Sequence, residues 1–272
     1  MATDKSAASV ITTVSKKGVA RLTLNNPKKH NAFDDKIIKN LTDAIRKVDG
    51  DNAVRILILD AKGPSFSAGA DLNWMKRMAT YDWEQNYQDS LKLAGLMQAL
   101  YDCRKTTIAL VQGAAFGGGV GLLACCDLVL ASDKALFCLS EVKLGLIPSV
   151  ISPYVVRAIG ERNAKRYFTT AEKFNATEAK AIQLVHKIVP HDKLENYTDD
   201  FINRVLANGP TAMREAKALV NYVANKPITE ALVLETAQRI ADIRASSEGQ
   251  EGVTAFLEKR PANWSAKNIS EF

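Results

Sequence analysis

The stretch AAFGGGVGLLACCDLVLAS at 114–132 decides the fold of this chain, because three consecutive glycines separate two apolar runs. The run before it, TTIALVQG at 106–113, has the composition of a strand, and a short helix is expected to begin within the glycines and continue through Leu123. Glycine permits positive φ angles and lets a ligand approach the main chain closely. We therefore expect a strand-to-helix turn with the Gly118 N–H as a free donor at the helix start.

A second turn of the same kind lies upstream, in FSAGADL at 66–72. It follows RILILDA at 55–61, a continuous apolar run that predicts a strand buried on both faces. A helix is expected to begin near Leu72 with Asp71 as its cap, which leaves the Ala70 N–H among the first unpaired donors. Because ligands bind at the carboxyl edge of open α/β sheets, the two turns are expected to lie side by side there.

Two backbone donors that meet at one point form an oxyanion hole, which stabilises a developing negative charge. The alternative is that both glycine turns only permit tight packing between strand and helix. Two nucleotide-binding motifs are excluded, because the sequence contains neither a GxxxxGK[ST] P-loop nor a GxGxxG fingerprint. His30, His186 and His191 lack a spacing typical of metal ligands, so no metal site is expected.

The sequence around the two turns predicts an α/β half followed by a helical third. The β-rich runs 9–15 and 18–26 predict a hairpin, and Asp34 is placed to cap a helix over 35–49. After about residue 149 the pattern becomes helical to the end, and the apolar stripes of these helices predict contact with a neighbouring subunit. The residues expected on the buried face of the 35–49 helix are Ile37, Ile38, Leu41, Ile45 and Val48.

Composition excludes several classes of protein. With 272 residues, 47% hydrophobic and 24% charged, the chain is typical of a globular protein and not of a disordered or fibrous one. The N-terminal sequence has no apolar run of signal length and no segment has the length of a membrane span, so a cytoplasmic protein without membrane contact is expected. The cysteines lack a CxxC spacing and are expected to be free, buried thiols: Cys103, Cys125, Cys126 and Cys138.

The net charge of +6 has two explanations. No tract of five or more basic residues occurs, so a nucleic-acid partner is not expected and the lysines fit an ordinary solvated surface. The alternative is a polyanionic small molecule, such as a nucleotide or a phosphopantetheine carrier, which a modest positive potential would attract.

Three sequence blocks resemble, in their order and spacing, the signature blocks of the crotonase family, the enoyl-CoA hydratases and isomerases. The likeness extends from the N-terminal hairpin to EGVTAFLEKRPANW at 251–264. The resemblance implies an α/β fold: a ClpP-like spiral of ββα units over 1–200 with the coenzyme A and acyl site, and a helical region over 201–272 that forms trimers or hexamers. The three blocks are FSAGADL (66–72), AAFGGGVGLLACCDLVLAS (114–132) and FCLSEVKLGLIPS (137–149).

The same resemblance implies a coenzyme A thioester as substrate, so coenzyme A is part of the substrate and no separate cofactor is expected. The thioester carbonyl oxygen would lie between the Ala70 and Gly118 amides, where the charge of an enolate would be stabilised. Two of the implied contacts, Phe256 and Lys259, would reach across from an adjacent subunit, whereas the lysines of the set are also typical of a solvated surface. The implied coenzyme A contacts are Lys28, Lys29, Ala68, Asp71, Leu72, Phe256 and Lys259.

The acid and base depart from the family pattern. Typical hydratases hold water between two glutamates, but here the first position is Gly121 and only the second, Glu141, is acidic. Loss of one member of such a pair is expected to cost about 10²–10⁴-fold in rate, whereas double-bond migration needs a single base. Without a catalytic role, Glu141 would only cap the next helix, and Ser140 would orient the carboxylate, bind water or cap that helix. Trp74 and Met75 would line the acyl pocket or simply pack.

The substrate is inferred from resemblance within the family. ADLNWMKRM at 70–78, together with the second and third blocks, is most similar to a bacterial branch linked to leucine and acyclic terpenoid catabolism, in which methylglutaconyl-CoA and a longer isohexenyl analogue are hydrated. That branch shares a small residue at the position of Gly121, which restores hydration as the leading activity and reduces repulsion of a second carboxylate. Three activities stay open, in this order: a hydratase, an isomerase that uses Glu141 alone, and a coenzyme A thioester-binding protein with negligible catalysis.

Overall fold

The computed structural model describes residues 8–265, so the ends of the predicted ranges 1–200 and 201–272 lie outside the described part. Within it the chain forms ten strands and ten α-helices. The strands are β1 (Val10–Val14), β2 (Val19–Leu24), β3 (Ile56–Ala61), β4 (Ser65–Ser67), β5 (Thr106–Val111), β6 (Ala114–Phe116), β7 (Leu128–Ser132), β8 (Leu136–Cys138), β9 (Phe174–Asn175) and β10 (Lys187–Val189). The helices are α1 (Asp35–Gly50), α2 (Leu72–Met78), α3 (Trp83–Tyr101), α4 (Gly118–Cys125), α5 (Ser152–Thr170), α6 (Ala176–Ala181), α7 (Leu194–Leu206), α8 (Pro210–Val223), α9 (Glu230–Ala245) and α10 (Ser247–Leu257).

The described chain opens with the predicted hairpin. β1 and β2 pair antiparallel, with Val10 opposite Leu24, and β2 then pairs parallel with β3. α1 begins where the Asp34 carboxylate accepts the Ile37 N–H at 2.9 Å, as the sequence predicts. All five apolar residues expected on the inner face of α1 are buried. They join a core formed by β2, β3, β5 and β7 together with α1, α3, α4 and α5.

From β3 to β8, successive strands alternate between two sheets, which confirms the predicted spiral of ββα units. The first sheet has the strand order β1-β2-β3-β5-β7-β10 and the second has the order β4-β6-β8-β9. One turn of the spiral contains β3, β4 and α2, and the next contains β5, β6 and α4. β6 pairs parallel with both β4 and β8, so the segments that follow these three strands leave the second sheet at the same edge. The two glycine turns are two of those segments.

The prediction of helices alone after residue 149 is wrong at two short strands. β9 pairs antiparallel with β8, and β10 pairs parallel with β7 at the edge of the first sheet. The sequence NATEAKAIQLV at 175–185 predicts one helix, but α6 ends at Ala181 because the chain turns there to enter β10. Strands of two or three residues are too short to show an alternating pattern, so their pairing depends on the neighbouring strand.

The chain divides into two compact units. The first comprises the chain up to Cys103 together with Thr107–Tyr197, and the second comprises Arg104–Thr106 together with the chain from Thr198 onward. In the second unit, the Glu248 carboxylate links α10 to α8 by accepting the Thr211 and Ala212 N–H groups at 2.9 and 2.8 Å. None of the helices described between residues 8 and 265 combines the length and the apolar character that crossing a membrane requires.

Candidate active site

A cavity of about 550 Å³ lies at the edge where the segments after β4, β6 and β8 leave the second sheet. Both glycine turns, the segment around Glu141 and one face of α3 border this cavity. The structure therefore brings together both predicted turns and the predicted acid. The lining includes Ala68, Ala70, Leu72, Gly118, Ser140 and Glu141.

The first turn leaves the Ala70 N–H without an internal acceptor. Ala70 forms an isolated parallel bridge with Phe33, whose N–H donates to the Gly69 carbonyl at 2.6 Å and whose carbonyl accepts the Asp71 N–H at 2.8 Å. Because successive N–H groups of an extended chain alternate in direction, the Ala70 N–H points away from Phe33. Between residues 8 and 265 no carbonyl or side chain accepts it.

The second turn leaves the Gly118 N–H without an internal acceptor as well. α4 begins at Gly118, and the preceding Gly117 N–H donates to the Cys138 carbonyl at 2.9 Å, which fixes the turn against β8. The first N–H of α4 that bonds back along the helix is that of Gly121, which reaches the Gly117 carbonyl at 3.1 Å. Gly118 stands before that bond, and its N–H has no acceptor within the described chain. Two unused backbone donors thus border one cavity.

Glu141 lies against the second turn. A Cβ at Gly117 would stand 3.0 Å from Glu141 Oε1, and Gly117 also has a φ of +50°, so only glycine suits this position. Glu141 Oε2 is buried and has no hydrogen-bond partner among the described residues. Burial raises the pKa of Glu141, because a carboxylate loses solvation there. Glu141 opens a short 3₁₀ helix, Glu141–Leu144, and Ser140 forms no side-chain cap at its start.

The position of the missing glutamate is filled. A Cβ at Gly121 would stand 2.3 Å from Ile151 Cγ2 and 3.3 Å from Met97 Cε. Both neighbours are buried, Ile151 at 3% and Met97 at 0% exposure. A second carboxylate on α4 therefore has no room, and Ile151, which also lines the cavity, forms an apolar wall in its place. Nothing in the local sequence around Gly121 indicates this contact with Ile151, 30 residues later.

Asp71 and Lys29 form an ion pair next to the first turn. Asp71 caps α2, as predicted, by accepting the Asn73 and Trp74 N–H groups at 2.9 and 3.2 Å. Its other oxygen accepts a hydrogen bond from Lys29 Nζ at 2.7 Å, and this contact lowers the pKa of Asp71. Lys29 thus holds the start of α2, and Lys28 is exposed.

The histidines and cysteines have structural surroundings. His30 Nδ1 lies 3.0 Å from Ser65 Oγ, and His191 Nδ1 lies 3.0 Å from Ser132 Oγ. The four cysteines are free, as predicted, and three of them are buried; Cys126 is partly exposed. No group of three or more His, Cys, Asp and Glu side chains in residues 8–265 is arranged to hold a metal ion.

Comparison with known proteins decides the family. The sequence profile of the enoyl-CoA hydratase/isomerase family matches residues 14–267. The chain belongs to the enoyl-CoA hydratase/isomerase family. It is 35% identical over 251 residues to a crotonyl-CoA hydratase of Syntrophomonas wolfei, an alignment that covers 92% of this chain and 95% of that protein.

Solved crotonase structures show the same fold. A Legionella pneumophila protein described as an enoyl-CoA hydratase/isomerase (crotonase) is 50% identical, with a TM-score of 0.92 over 96% of this chain and 100% of that one. An enoyl-CoA hydratase of Shewanella pealeana is 46% identical, with a TM-score of 0.91 over 96% of this chain and 97% of that one. The resemblance to crotonases is therefore confirmed, whereas these comparisons do not single out the methylglutaconyl-CoA branch.

The residues implied as coenzyme A contacts in this crotonase lie in different places. Ala68 and Leu72 line the cavity, and Leu72 is 73% exposed at its rim. Asp71 and Lys29 are joined in the ion pair beside it. Phe256 lies on α10 in the second unit and is 82% exposed, and Lys259 follows that helix. Their roles toward coenzyme A stay predictions.

Sequence reasoning missed one acidic residue of the cavity, Asp89. Asp89 is 5% exposed on the inner face of α3, and its Oδ2 accepts the Trp74 indole N–H at 2.9 Å. Trp74 and Met75, for which lining and packing were both open, line the cavity together with Asp89. Asp89 is at helical spacing from the cavity-lining Leu93 and the buried Leu96. This spacing places the acid on the inner face of α3 and is the sequence signal that would have revealed Asp89.

Proposed function

We propose that this chain is an enoyl-CoA hydratase that adds water across the 2,3 double bond of an enoyl-CoA thioester. One observation carries the proposal: Glu141, whose buried Oε2 has no hydrogen-bond partner among the described residues, borders the same cavity as two backbone N–H groups that lack internal acceptors. An acid or base with a raised pKa next to unused donors is typical of a catalytic site.

The reaction follows from these groups. The Ala70 and Gly118 N–H groups would bind the thioester oxygen, whose negative charge increases when the enolate forms. Removal of one such donor typically costs about 2.7–4 kcal/mol of transition-state stabilisation, so a pair contributes strongly. Glu141 would take a proton from water as the water oxygen bonds to Cβ, and would then return that proton to Cα. One carboxylate performs both transfers, because Ile151 fills the space beside Gly121. No cofactor enters these steps, since coenzyme A is part of the substrate.

A spectrophotometric assay with crotonyl-CoA tests the proposal. Hydration removes the conjugated double bond, so the absorbance of the conjugated thioester falls. Glu141→Gln is expected to reduce turnover by at least about 10³-fold while coenzyme A thioesters still bind. The matched control is Glu84→Gln, which removes an exposed carboxylate on α3 outside the cavity. Full turnover in Glu141→Gln would remove this residue from the mechanism.

An isomerase that uses Glu141 alone is the second candidate, because the cavity has no second glutamate at Gly121. A single base is sufficient to carry a proton from one carbon to another. With a 3-enoyl-CoA substrate, migration into conjugation raises the absorbance that hydration lowers. Tight binding of coenzyme A thioesters with neither change in absorbance would instead identify a binding protein.

Two acyl classes are to be compared in the hydratase assay. The sequence resemblance favours methylglutaconyl-CoA, which is branched and carries a second carboxylate. The similarity to a crotonyl-CoA hydratase favours a short, uncharged acyl chain. Separate kcat/KM values for methylglutaconyl-CoA and crotonyl-CoA decide between them, and faster turnover of crotonyl-CoA would defeat the first.

We further propose that the chain self-associates as a trimer or a hexamer. The second unit supports this, because apolar side chains on its helices and connections are largely exposed, which is uncommon unless a partner covers them. Light scattering on the purified protein gives the mass directly, and a monomer at micromolar concentration would contradict the proposal. The exposed side chains are Val220, Ile228, Leu234, Phe256 and Leu257.

A further inference from the structure

The charges that line the cavity all have one sign. Glu141 and Asp89 are the two titratable acids among the described lining residues, and no lysine, arginine or histidine lines the cavity in residues 8–265. The rest of the wall is mainly apolar, and includes Trp74, Leu93 and Ile151. A negatively charged group that entered this space would find two acids and no cation to pair with.

Asp89 is fixed in the cavity wall. It lies on α3, and the hydrogen bond from Trp74 Nε1 to its Oδ2, 2.9 Å long, ties it to α2. Trp74 lies in the first turn of α2, four residues after Ala70, so this contact holds Asp89 near the turn that carries the first free N–H. The carboxylate is a built part of the wall and not a surface group that swings into solvent.

Two charged groups outside the lining act on Asp89. Lys92 Nζ lies 3.7 Å from Asp89 Oδ1 and is largely exposed, with 61% of its side chain accessible. Burial, the negative charge of Asp35 on α1 and a side-chain hydrogen bond with Asp35 raise the pKa of Asp89, whereas Lys92 and the indole N–H of Trp74 lower it. Lys92 is screened by solvent and stands outside the cavity lining, so it supplies no cation to a ligand inside.

We propose that Asp89 is a specificity-determining residue that makes this cavity reject acyl chains with a negative charge. The proposal rests on the hydratase function and names its substrate class: enoyl-CoA thioesters whose acyl chain is uncharged. A terminal carboxylate would lose its hydration in the cavity without a cation in return, and Asp89 would repel it at short range in a medium of low dielectric. A repulsive group of this kind creates specificity without any contact to the preferred substrate.

The test compares two substrates of equal length, trans-2-pentenoyl-CoA and trans-glutaconyl-CoA, which differ only in a terminal methyl group or a carboxylate. The wild-type protein is expected to prefer pentenoyl-CoA in kcat/KM on the order of 100-fold. The unreactive ligands pentanoyl-CoA and glutaryl-CoA give the same comparison in Kd without turnover, and a preference of at least about tenfold for pentanoyl-CoA is expected there.

Three variants assign the preference to Asp89. Asp89→Asn keeps an oxygen acceptor for Trp74 and removes the charge. The kcat/KM ratio and the Kd ratio that favour the uncharged acyl chain are therefore both expected to decrease about tenfold or more. Glu84→Gln removes a carboxylate from the same helix outside the cavity and is expected to leave both ratios unchanged. Ser90→Lys places a cation at an exposed lining position, where folding is not at risk, and is expected to shift both ratios toward the dicarboxylic ligand.

Each outcome separates this inference from the hydratase proposal. Equal or faster turnover of glutaconyl-CoA, or an Asp89→Asn ratio equal to that of the wild type, would overturn the role of Asp89 while hydration stands. Absence of hydration with either substrate would overturn the hydratase proposal, and the two Kd values would still decide whether the cavity rejects negative charge. If Asp89→Asn unfolds, the wild-type Kd ratio decides, because a ratio near one overturns the inference and a preference for pentanoyl-CoA supports it.

Discussion

Replacing Gly121 with alanine adds one methyl group directly against Ile151, a residue of the cavity wall. The new Cβ would stand 2.3 Å from Ile151 Cγ2, 2.9 Å from Ile151 Cβ and 3.3 Å from Met97 Cε. Ordinary contact begins near 3.4 Å, so Ile151 has to retreat by about 1 Å within a close-packed region. The backbone needs no adjustment, because Gly121 does not have a positive φ.

Two effects of opposite sign set the change in the free energy of unfolding of Gly121→Ala. Forcing an extra methyl group into a packed core costs about 1–3 kcal/mol. Alanine in place of glycine within a helix returns up to about 1 kcal/mol. The net effect of Gly121→Ala is a loss of about 0–3 kcal/mol in the free energy of unfolding. The matched control is Gly95→Ala in the middle of α3, where nothing lies within 4 Å of the added Cβ and the gain of up to about 1 kcal/mol is unopposed.

The measurement is urea denaturation of both variants and the wild type at one protein concentration. The free energies of unfolding of the two variants are expected to differ by about 1–3 kcal/mol, with Gly95→Ala the more stable. Ile151→Ala removes Cγ2, so the double variant Gly121→Ala/Ile151→Ala is expected to lose less stability than the sum of its single variants. Equal gains in the free energy of unfolding from Gly121→Ala and Gly95→Ala, with additive energies in the double variant, would refute the claim that Ile151 fills the space beside Gly121. A second acid would then fit at that position.

The remaining predictions concern the buried carboxylate and the cap. Glu141→Gln is expected to unfold at the same temperature as the wild type or at a higher one, because a carboxylate with a buried, unpartnered oxygen destabilises the fold; a clear loss of Tm would contradict this. Burial raises the pKa of Glu141, and the base must be ionised to act. We therefore expect kcat/KM to fall as pH falls through a pKa above the usual glutamate range. A pH profile without this acidic decrease would exclude Glu141 as the base. Because its pKa is raised on folding, Glu141 holds its proton more tightly in the folded state than in the unfolded state. The free energy of unfolding of the wild type is therefore expected to fall, relative to that of Glu141→Gln, as pH rises through that pKa. Denaturation at several pH values measures this difference. Asp71→Ala removes the cap of α2 and is expected to cost about 1 kcal/mol in urea denaturation, whereas Asp71→Asn should retain most of it.

Local sequence was sufficient for the elements whose structure depends on neighbouring residues. The cap at Asp34, the start of α4 at Gly118 and the strand over Ile56–Ala61 were all predicted, because caps, glycine turns and apolar runs act within a few residues. The strand β10 was missed, since its three residues become a strand only through pairing with β7. The family blocks likewise located both N–H groups and Glu141 in one cavity, which a single-element pattern does not show.

The sequence by itself therefore predicted the two turns and, through its resemblance to the family, the spiral fold and Glu141 as the candidate acid. Only the tertiary structure decided what surrounds that acid. Ile151 occupies the space beside Gly121, and Asp89 lines the cavity with its carboxylate held by Trp74, because α3, α2 and the segment before α5 converge there from separate parts of the chain. Such contacts depend on how side chains from separate helices fill one volume, and no short-range pattern in the sequence encodes that packing.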